Sequence, residues 1–194
     1  MVVLMFQIIR IIIKCKKCGE VIESLSVHDF KFCNKGDFGA MIKILFICHG
    51  NICRSTMAES VMTYFVKQDH LEDRFVIASA ATSREEIGNG PHYGTVGKLR
   101  EVGIPVVPHR AVQMTKADYD RYDYLIGMDD ANIRNMTRIA DGDPEGKIYK
   151  LLHFAGSSAS VADPWYTDDF DATYRDVLAG CKGLLELLRE HGEI

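Results

Sequence analysis

Cys48 and Arg54 stand six positions apart, with His49-Gly50-Asn51-Ile52-Cys53 between them and Ser55 directly after. A thiol and a guanidinium at the two ends of so short an arc can act on one tetrahedral anion. Backbone amides of the arc ring its oxygens and the guanidinium grips two of them. The same positive field favours the thiolate of Cys48, the form that attacks as a nucleophile. Gly50 and Asn51 tolerate the left-handed backbone angles that an amide nest requires, and Ser55 can hydrogen-bond the sulfur. The chemistry this points to is transfer of a phosphoryl group to sulfur. An aryl leaving group, with a phenolate pKa of about 10, then needs a proton to depart. Ala162-Asp163-Pro164-Trp165-Tyr166 offers a donor at Asp163, on a loop stiffened by Pro164 and followed by two aromatics able to flank a planar ring. An acid that must carry its proton to act places the kcat/KM optimum below pH 7.

These residues need a scaffold that brings them together. Ile42–Ile47 is a short run, apolar but for Lys43, of the kind buried in parallel sheets. Beyond the loop, Thr56-Met57-Ala58-Glu59 fits a capping box, with Met57, Val61, Met62, Phe65 and Val66 following on a helical period. Cys48–Ser55 therefore joins the carboxyl end of a strand to the amino end of a helix. Ligands of open α/β sheets bind at such a junction, where unpaired N–H groups and the helix dipole favour an anion. Further strands are predicted near 75–79, 123–128 and 147–151, with helices near 55–68, 93–102, 115–121, 130–139 and 170–190. This alternation predicts an α/β fold with a parallel sheet covered on both faces. Cys181 falls on the apolar stripe of the last helix, with Tyr174, Val177, Leu178, Leu184, Leu185 and Leu188.

Composition divides the 194 residues at position 40. Residues 1–40 hold six Lys+Arg, four Asp+Glu and three of the six cysteines; residues 41–194 hold 17 basic and 23 acidic residues and all five prolines. The domains expected are a Cys-containing extension over 1–40 and a catalytic domain over 41–194. Net charges of +2 and −6 exclude a broad nucleic-acid footprint, which needs a basic surface, but not one small anion site. Met1–Lys14 is interrupted by Gln7 and Arg10 and falls short of the roughly 20 apolar residues of a membrane span. Its Val/Ile content suits a strand. Cys15-Lys16-Lys17-Cys18-Gly19 is a metal-knuckle spacing, and His28 and Cys33 could complete a Cys3His zinc set at irregular distance. Residues 15–33 thus resemble a degenerate zinc ribbon, with a linker at Gly36–Ala40.

The stretch CHGNICRSTMAE resembles the C-x-G-N-x-C-R-S signature of the low-molecular-weight protein tyrosine phosphatase family, and the likeness extends over residues 42–191. The resemblance implies a three-layer, doubly wound fold whose four parallel strands lie in the order 2-1-3-4. It implies a cysteine-dependent phosphatase acting on phosphotyrosine proteins and aryl phosphates. Cys48 would be the nucleophile, Arg54 with residues 49–55 the phosphate cradle, and Asp163 the general acid and base. Ser79 and His109 would support Asn51, and Asp129 would open a helix beside the site. Ile52, Glu85, Trp165 and Tyr166 would wall the pocket, Glu85 standing where animal members often carry an aromatic. Cys53 would trap an oxidised Cys48 as a disulfide. No cofactor, nucleic acid or membrane partner is expected, and the setting expected is a cytoplasmic monomer. Arginine phosphatases of this fold carry Thr in the slot held by Ile52 and lack the paired aromatics after Asp-Pro. Arsenate reductases need two further cysteines, and none lies between Cys53 and Cys181. A zinc-binding interaction module on a degenerate phosphatase fold is opposed by the presence of Cys48, Arg54 and Asp163 together.

Overall fold

The computed structural model describes the backbone of residues 11–14 and 21–24 and the full chain from 41 to 194. The chain divides into two compact units, Met1–Ala40 and Met41–Ile194. In the first, β1 (Ile11–Lys14) and β2 (Val21–Ser24) pair antiparallel, with Ile11 opposite Ser24 and Lys14 opposite Val21. The expected zinc ligands Cys15, Cys18, His28 and Cys33 lie outside the described residues.

The second unit is built on β3 (Ile42–Cys48), whose seven residues are all apolar except Lys43. Parallel neighbours lie on both sides, β4 (Phe75–Ala81) and β5 (Tyr124–Gly127), and β6 (Ile148–Lys150) extends the sheet beyond β5. The order β4-β3-β5-β6 is the 2-1-3-4 winding. Side chains alternate across β3, so Ile44 and Phe46 enter one core and Leu45 and Ile47 the other. The first core is closed by α1 (Arg54–Gln68), α2 (Tyr93–Glu101) and α6 (Phe170–Glu190), through Met57, Val61, Leu99, Val177, Cys181 and Leu184. The second is closed by α3 (Lys116–Arg121) and α4 (Asp130–Ala140), through Tyr119 and Met136. Burial on both faces is why β3 reads as a continuous apolar run rather than an alternating one. Among the described residues no helix is long and apolar enough to cross a membrane.

The helix after the loop lies where the sequence predicts, but it does not start from the predicted cap. Its N-cap is Cys53, which gives no side-chain cap. The capping box at Thr56–Glu59 does not form: Thr56 Oγ1 donates back to the Cys53 carbonyl at 2.9 Å, and Glu59 turns into the core instead. Ten of the fifteen residues of α1 are buried, so the helix runs through the molecule and its carboxylate finds a buried partner rather than its own amino end. A one-turn helix, α5 (Pro164–Thr167), was not expected from periodicity because four residues carry none.

Two glycines give opposite expectations. Gly183 on α6 packs where a Cβ would collide with the Phe154 carbonyl in the 3-10 turn Leu151–Ala155, whereas Gly97 on α2 faces open space. Gly183→Ala should destabilise by about 1–3 kcal/mol, lowering Tm by roughly 3–10 °C. Gly97→Ala should stabilise by about 0.5–1 kcal/mol through helix propensity. Thermal and urea unfolding of both variants measure this, and a stabilised Gly183→Ala would contradict the packing described.

Candidate active site

Because all four strands run parallel, their carboxyl ends share one edge. Cys48 ends β3 opposite Ala81 of β4, and Ile47 lies opposite Gly127 of β5. Three loops therefore converge there: Cys48–Cys53, the 82–86 segment after β4, and Met128-Asp129 before α4. The carbonyls of the first loop are held by its surroundings. Cys48 O accepts from Thr82 N–H at 2.9 Å, His49 O from Ser83 N–H at 3.0 Å and Ile52 O from His92 N–H at 2.8 Å. With the carbonyls engaged outward, the amides are left: among the described residues those of His49, Gly50, Ile52 and Cys53 donate to no protein group. A ring of free N–H groups at the start of a helix is an anion receptor.

At its floor sits Cys48, 3% exposed. Its Sγ accepts from the Asn51 amide at 3.2 Å and lies 3.1 Å from Ser55 Oγ. Ser55 Oγ itself accepts from Asn51 Nδ2 at 2.9 Å, which leaves its proton for the sulfur. Asn51 adopts φ 60°, a left-handed conformation that Asn tolerates. Its side chain makes all four hydrogen bonds it can. Nδ2 donates to Ser55 and, at 2.8 Å, to Ser79 Oγ, while Oδ1 accepts from His109 Nε2 at 2.8 Å and Val112 N–H at 3.1 Å. Ser79 and His109 thus sit on the residue the family resemblance assigns them to. Burial pushes His109 below its ordinary pKa, the bond to Asn51 working the other way.

Arg54, 4% exposed, reaches across the loop. NH1 donates to Asp129 Oδ2 at 2.6 Å and NH2 pairs with Asp163 Oδ2 at 2.6 Å. Burial opposes the guanidinium charge, but Cys48, Asp163 and Asp129 around it outweigh that and hold it protonated. Asp129 also caps α4, accepting from Asn132 N–H at 2.7 Å, and Asp163 caps α5, accepting from Trp165 N–H at 3.1 Å. His49 and Glu85 meet at 3.0 Å on the rim, both exposed. The pocket above the sulfur is lined by Ile52, Glu85, Glu86, Trp165 and Tyr166. Among the described residues no group of three or more His, Cys, Asp or Glu is placed to hold a metal ion.

Cys53 is buried and unbridged, like Cys48 and Cys181. Burial, then the neighbouring Cys48 and Asp163, push its thiol up to about 12, against the weaker pull of Thr95 and Arg54. It is held as a neutral thiol, unlike the thiolate an attacking residue needs.

Three residues in this arrangement have roles that the sequence reading did not assign them. Glu59 lies beneath the loop and accepts from Ser79 Oγ at 2.6 Å, with His109 Nδ1 at 3.5 Å. Thr173 and Asp176 of α6 hold the acid loop, Thr173 Oγ1 donating to Ala162 O and Asp176 Oδ2 accepting from Ala162 N–H, each at 2.9 Å. Thr173 carried a signal, a polar residue one turn before Val177 on an otherwise apolar stripe.

The sequence comparison names what this geometry suggests. Residues 43–193 match the family described as low molecular weight phosphotyrosine protein phosphatase. The chain belongs to that family. Residues 7–39 match a separate domain of unknown function, DUF7695. The low molecular weight protein-tyrosine-phosphatase YfkJ of Bacillus subtilis is 36% identical over 156 residues, 79% of this chain and 100% of its own length. The low molecular weight phosphotyrosine protein phosphatase of Gallus gallus is 37% identical over 153 residues, 76% of this chain and 96% of its own. The crystal structure of YfkJ superposes with a TM-score of 0.75 at 37% identity, covering 78% of this chain and 97% of that one. A Drosophila arginine phosphatase shares the fold at a TM-score of 0.68 and 26% identity, covering 75% of this chain and 96% of that one.

In a low-molecular-weight phosphatase the loop must stay shaped around phosphate, and here a buried carboxylate underwrites that. Burial raises the pKa of Glu59, while the Ser79 hydroxyl lowers it. A carboxyl raised in the folded state adds stability below its unfolded value of about 4.3, and that contribution is lost as pH rises through the folded value. Ser79 limits the loss by donating to the charged form. Ser79→Ala loses the bond from Asn51 at any pH and strands the charge of Glu59 only once that carboxyl ionises, so it should cost about 1–3 kcal/mol more at pH 7.5 than at pH 4, and lower kcat/KM about tenfold by loosening Asn51. Urea unfolding at the two pH values measures the first; a cost independent of pH would contradict it.

Proposed function

We propose that residues 41–194 hydrolyse phosphotyrosine in proteins, and small aryl phosphates, through a cysteinyl-phosphate on Cys48, with 1–40 as an appended unit. The substrate phosphate enters the amide ring of residues 49–55 and takes Arg54 from Asp163. The Cys48 thiolate attacks phosphorus, the bond from phosphorus to the aryl oxygen breaks, and protonated Asp163 gives that oxygen its proton. Water then attacks the phosphorus of the thiophosphate. Asp163 accepts a proton from it, the S–P bond breaks, and thiolate and inorganic phosphate are released. Asp129 keeps Arg54 aimed at the phosphate throughout.

The observation that carries this reading is the Cys48 sulfur, which receives the Asn51 amide and lies beside Ser55 at the base of a pocket spanned by Arg54 and Asp163. Such donors stabilise a thiolate both before attack and as it leaves. The arginine-phosphatase reading has a relative on its side, the Drosophila enzyme. Ile52 in the pocket wall and the exposed rings of Trp165 and Tyr166 favour an aryl ester instead. Free thiols at all three described cysteines fit the reducing cytoplasm, where the protein would act as a monomer on phosphotyrosine proteins.

Hydrolysis of phosphotyrosine and phosphoarginine peptides without added metal tests the proposal. Phosphotyrosine turnover is expected, with phosphoarginine much slower. Turnover of neither, or faster phosphoarginine release, would overturn it.

A further inference from the structure

Beside the phosphate pocket a second cleft of about 260 Å³ opens between the start of α2 and the acid loop, lined by His92, Tyr93, Pro164, Trp165, Asp168 and Phe170. Cys53 and Trp165 line both cavities, so the indole is the partition between them. The cleft belongs to none of the chemistry described above.

Its back wall is firmly built. The His92 ring stacks on Phe170, with centroids 5.4 Å apart and planes 8° from parallel, and meets Trp165 edge-on at 6.3 Å. His92 Nδ1 accepts from Gly94 N–H at 3.2 Å, and its own amide is held by Ile52 O. Phe170 fits against Gly94, where no Cβ could stand. In front of this wall two large rings face solvent, Tyr93 at 77% and Trp165 at 62% exposure. Asp168 stands at the edge with its backbone in the left-handed region, φ 53°, fixed by its amide bond to Pro164 O. Its carboxylate has no ion pair or hydrogen bond among the described residues, and Lys98 of α2 is engaged by Glu101 and Asp171.

Two open aromatic faces and an unpaired carboxylate are complementary to a guanidinium, which is flat, permanently charged and able to stack and ion-pair at once. An ammonium would meet the carboxylate without the stacking. The surrounding charge has the same sign: Glu85 and Glu86 stand on the rim of the phosphate pocket, and residues 41–194 carry 23 acidic against 17 basic residues. Such a field steers a cationic peptide to the mouth. Resting on the phosphotyrosine reading above, we infer that this cleft receives an arginine side chain of the substrate protein, its guanidinium on Tyr93 and Trp165 and paired with Asp168, while the phosphotyrosine occupies the neighbouring pocket. The substrate class is phosphotyrosine with arginine within about three residues, a span of roughly 10 Å in an extended peptide.

Phosphotyrosyl peptides with arginine, lysine or citrulline scanned through the three positions on either side test this. At one of these positions arginine should raise kcat/KM about three- to tenfold over citrulline, and over lysine by less. Asp168→Asn, which keeps a residue tolerant of the left-handed backbone, and Tyr93→Ala, at an exposed first position of α2, should each remove most of that preference. Both should leave hydrolysis of a small aryl phosphate unchanged. Equal rates for arginine and citrulline at every position, or a preference that survives both variants, would overturn the inference alone. Absence of any phosphotyrosine turnover would overturn the phosphatase reading and this one with it.

Discussion

Cys48→Ser should abolish turnover of every aryl phosphate, by at least ~10⁴-fold in kcat, while leaving the protein folded and able to bind phosphate. A hydroxyl is far less acidic than a thiol, and the donors around position 48 cannot make it an alkoxide at neutral pH. The structural cost is small. Serine is slightly smaller than cysteine, the site is 3% exposed, and its oxygen inherits the Asn51 amide and the Ser55 hydroxyl as partners. Removing a negative sulfur from beneath a bound dianion also removes a repulsion, so inorganic phosphate should bind the variant more tightly than the wild type. Three measurements separate these effects: kcat on an aryl phosphate, Tm, and phosphate affinity by calorimetry. Residual turnover within tenfold of the wild type would remove Cys48 from the mechanism. Lost turnover with a collapsed Tm would leave unfolding as the cause, and the phosphate affinity decides that point independently.

The parts of this site that were legible in the sequence are those whose chemistry is local. Cys48 to Ser55 is one contiguous arc between a buried run and a helix, and a strand-to-helix junction is enough to place its amides around an anion. Asp163 was picked out by the family resemblance, since an Asp-Pro standing alone is more often a turn than an acid. Glu59 was misread because local pattern and tertiary burial compete at that residue. Three positions after Thr56 it fits a capping box, but α1 is so deeply buried that a carboxylate pointing back along the helix would face no water. It goes to Ser79 instead, twenty residues away. Asp176 was invisible, and Thr173 showed only as a polar residue on an apolar stripe, because both act on the backbone of Ala162, and nothing in the sequence indicates which main-chain groups of a distant loop need partners. Asp129 shows a third situation: the sequence places it as a helix cap, and the structure has the same carboxylate capping α4 through Oδ1 and orienting Arg54 through Oδ2. A carboxylate with two oxygens can satisfy both demands, so neither reading displaced the other.

Asp163→Asn should split the two halves of catalysis. Asparagine can keep the cap on α5, because its side-chain oxygen still accepts from the Trp165 amide, but it brings neither a proton for the leaving group nor a charge for Arg54. Hydrolysis of phosphotyrosine and phenyl phosphate should fall by about 10²–10⁴-fold in kcat, the usual scale for a lost general acid. A nitrophenyl ester, whose phenolate departs more readily unaided, should fall less. Binding should move the opposite way. Asp163 and an entering phosphate compete for the same guanidinium nitrogen, Arg54 NH2. Without that competitor inorganic phosphate should inhibit at lower concentration, and KM should fall along with kcat. A loss equal for good and poor leaving groups would assign Asp163 to Arg54 positioning rather than to proton transfer.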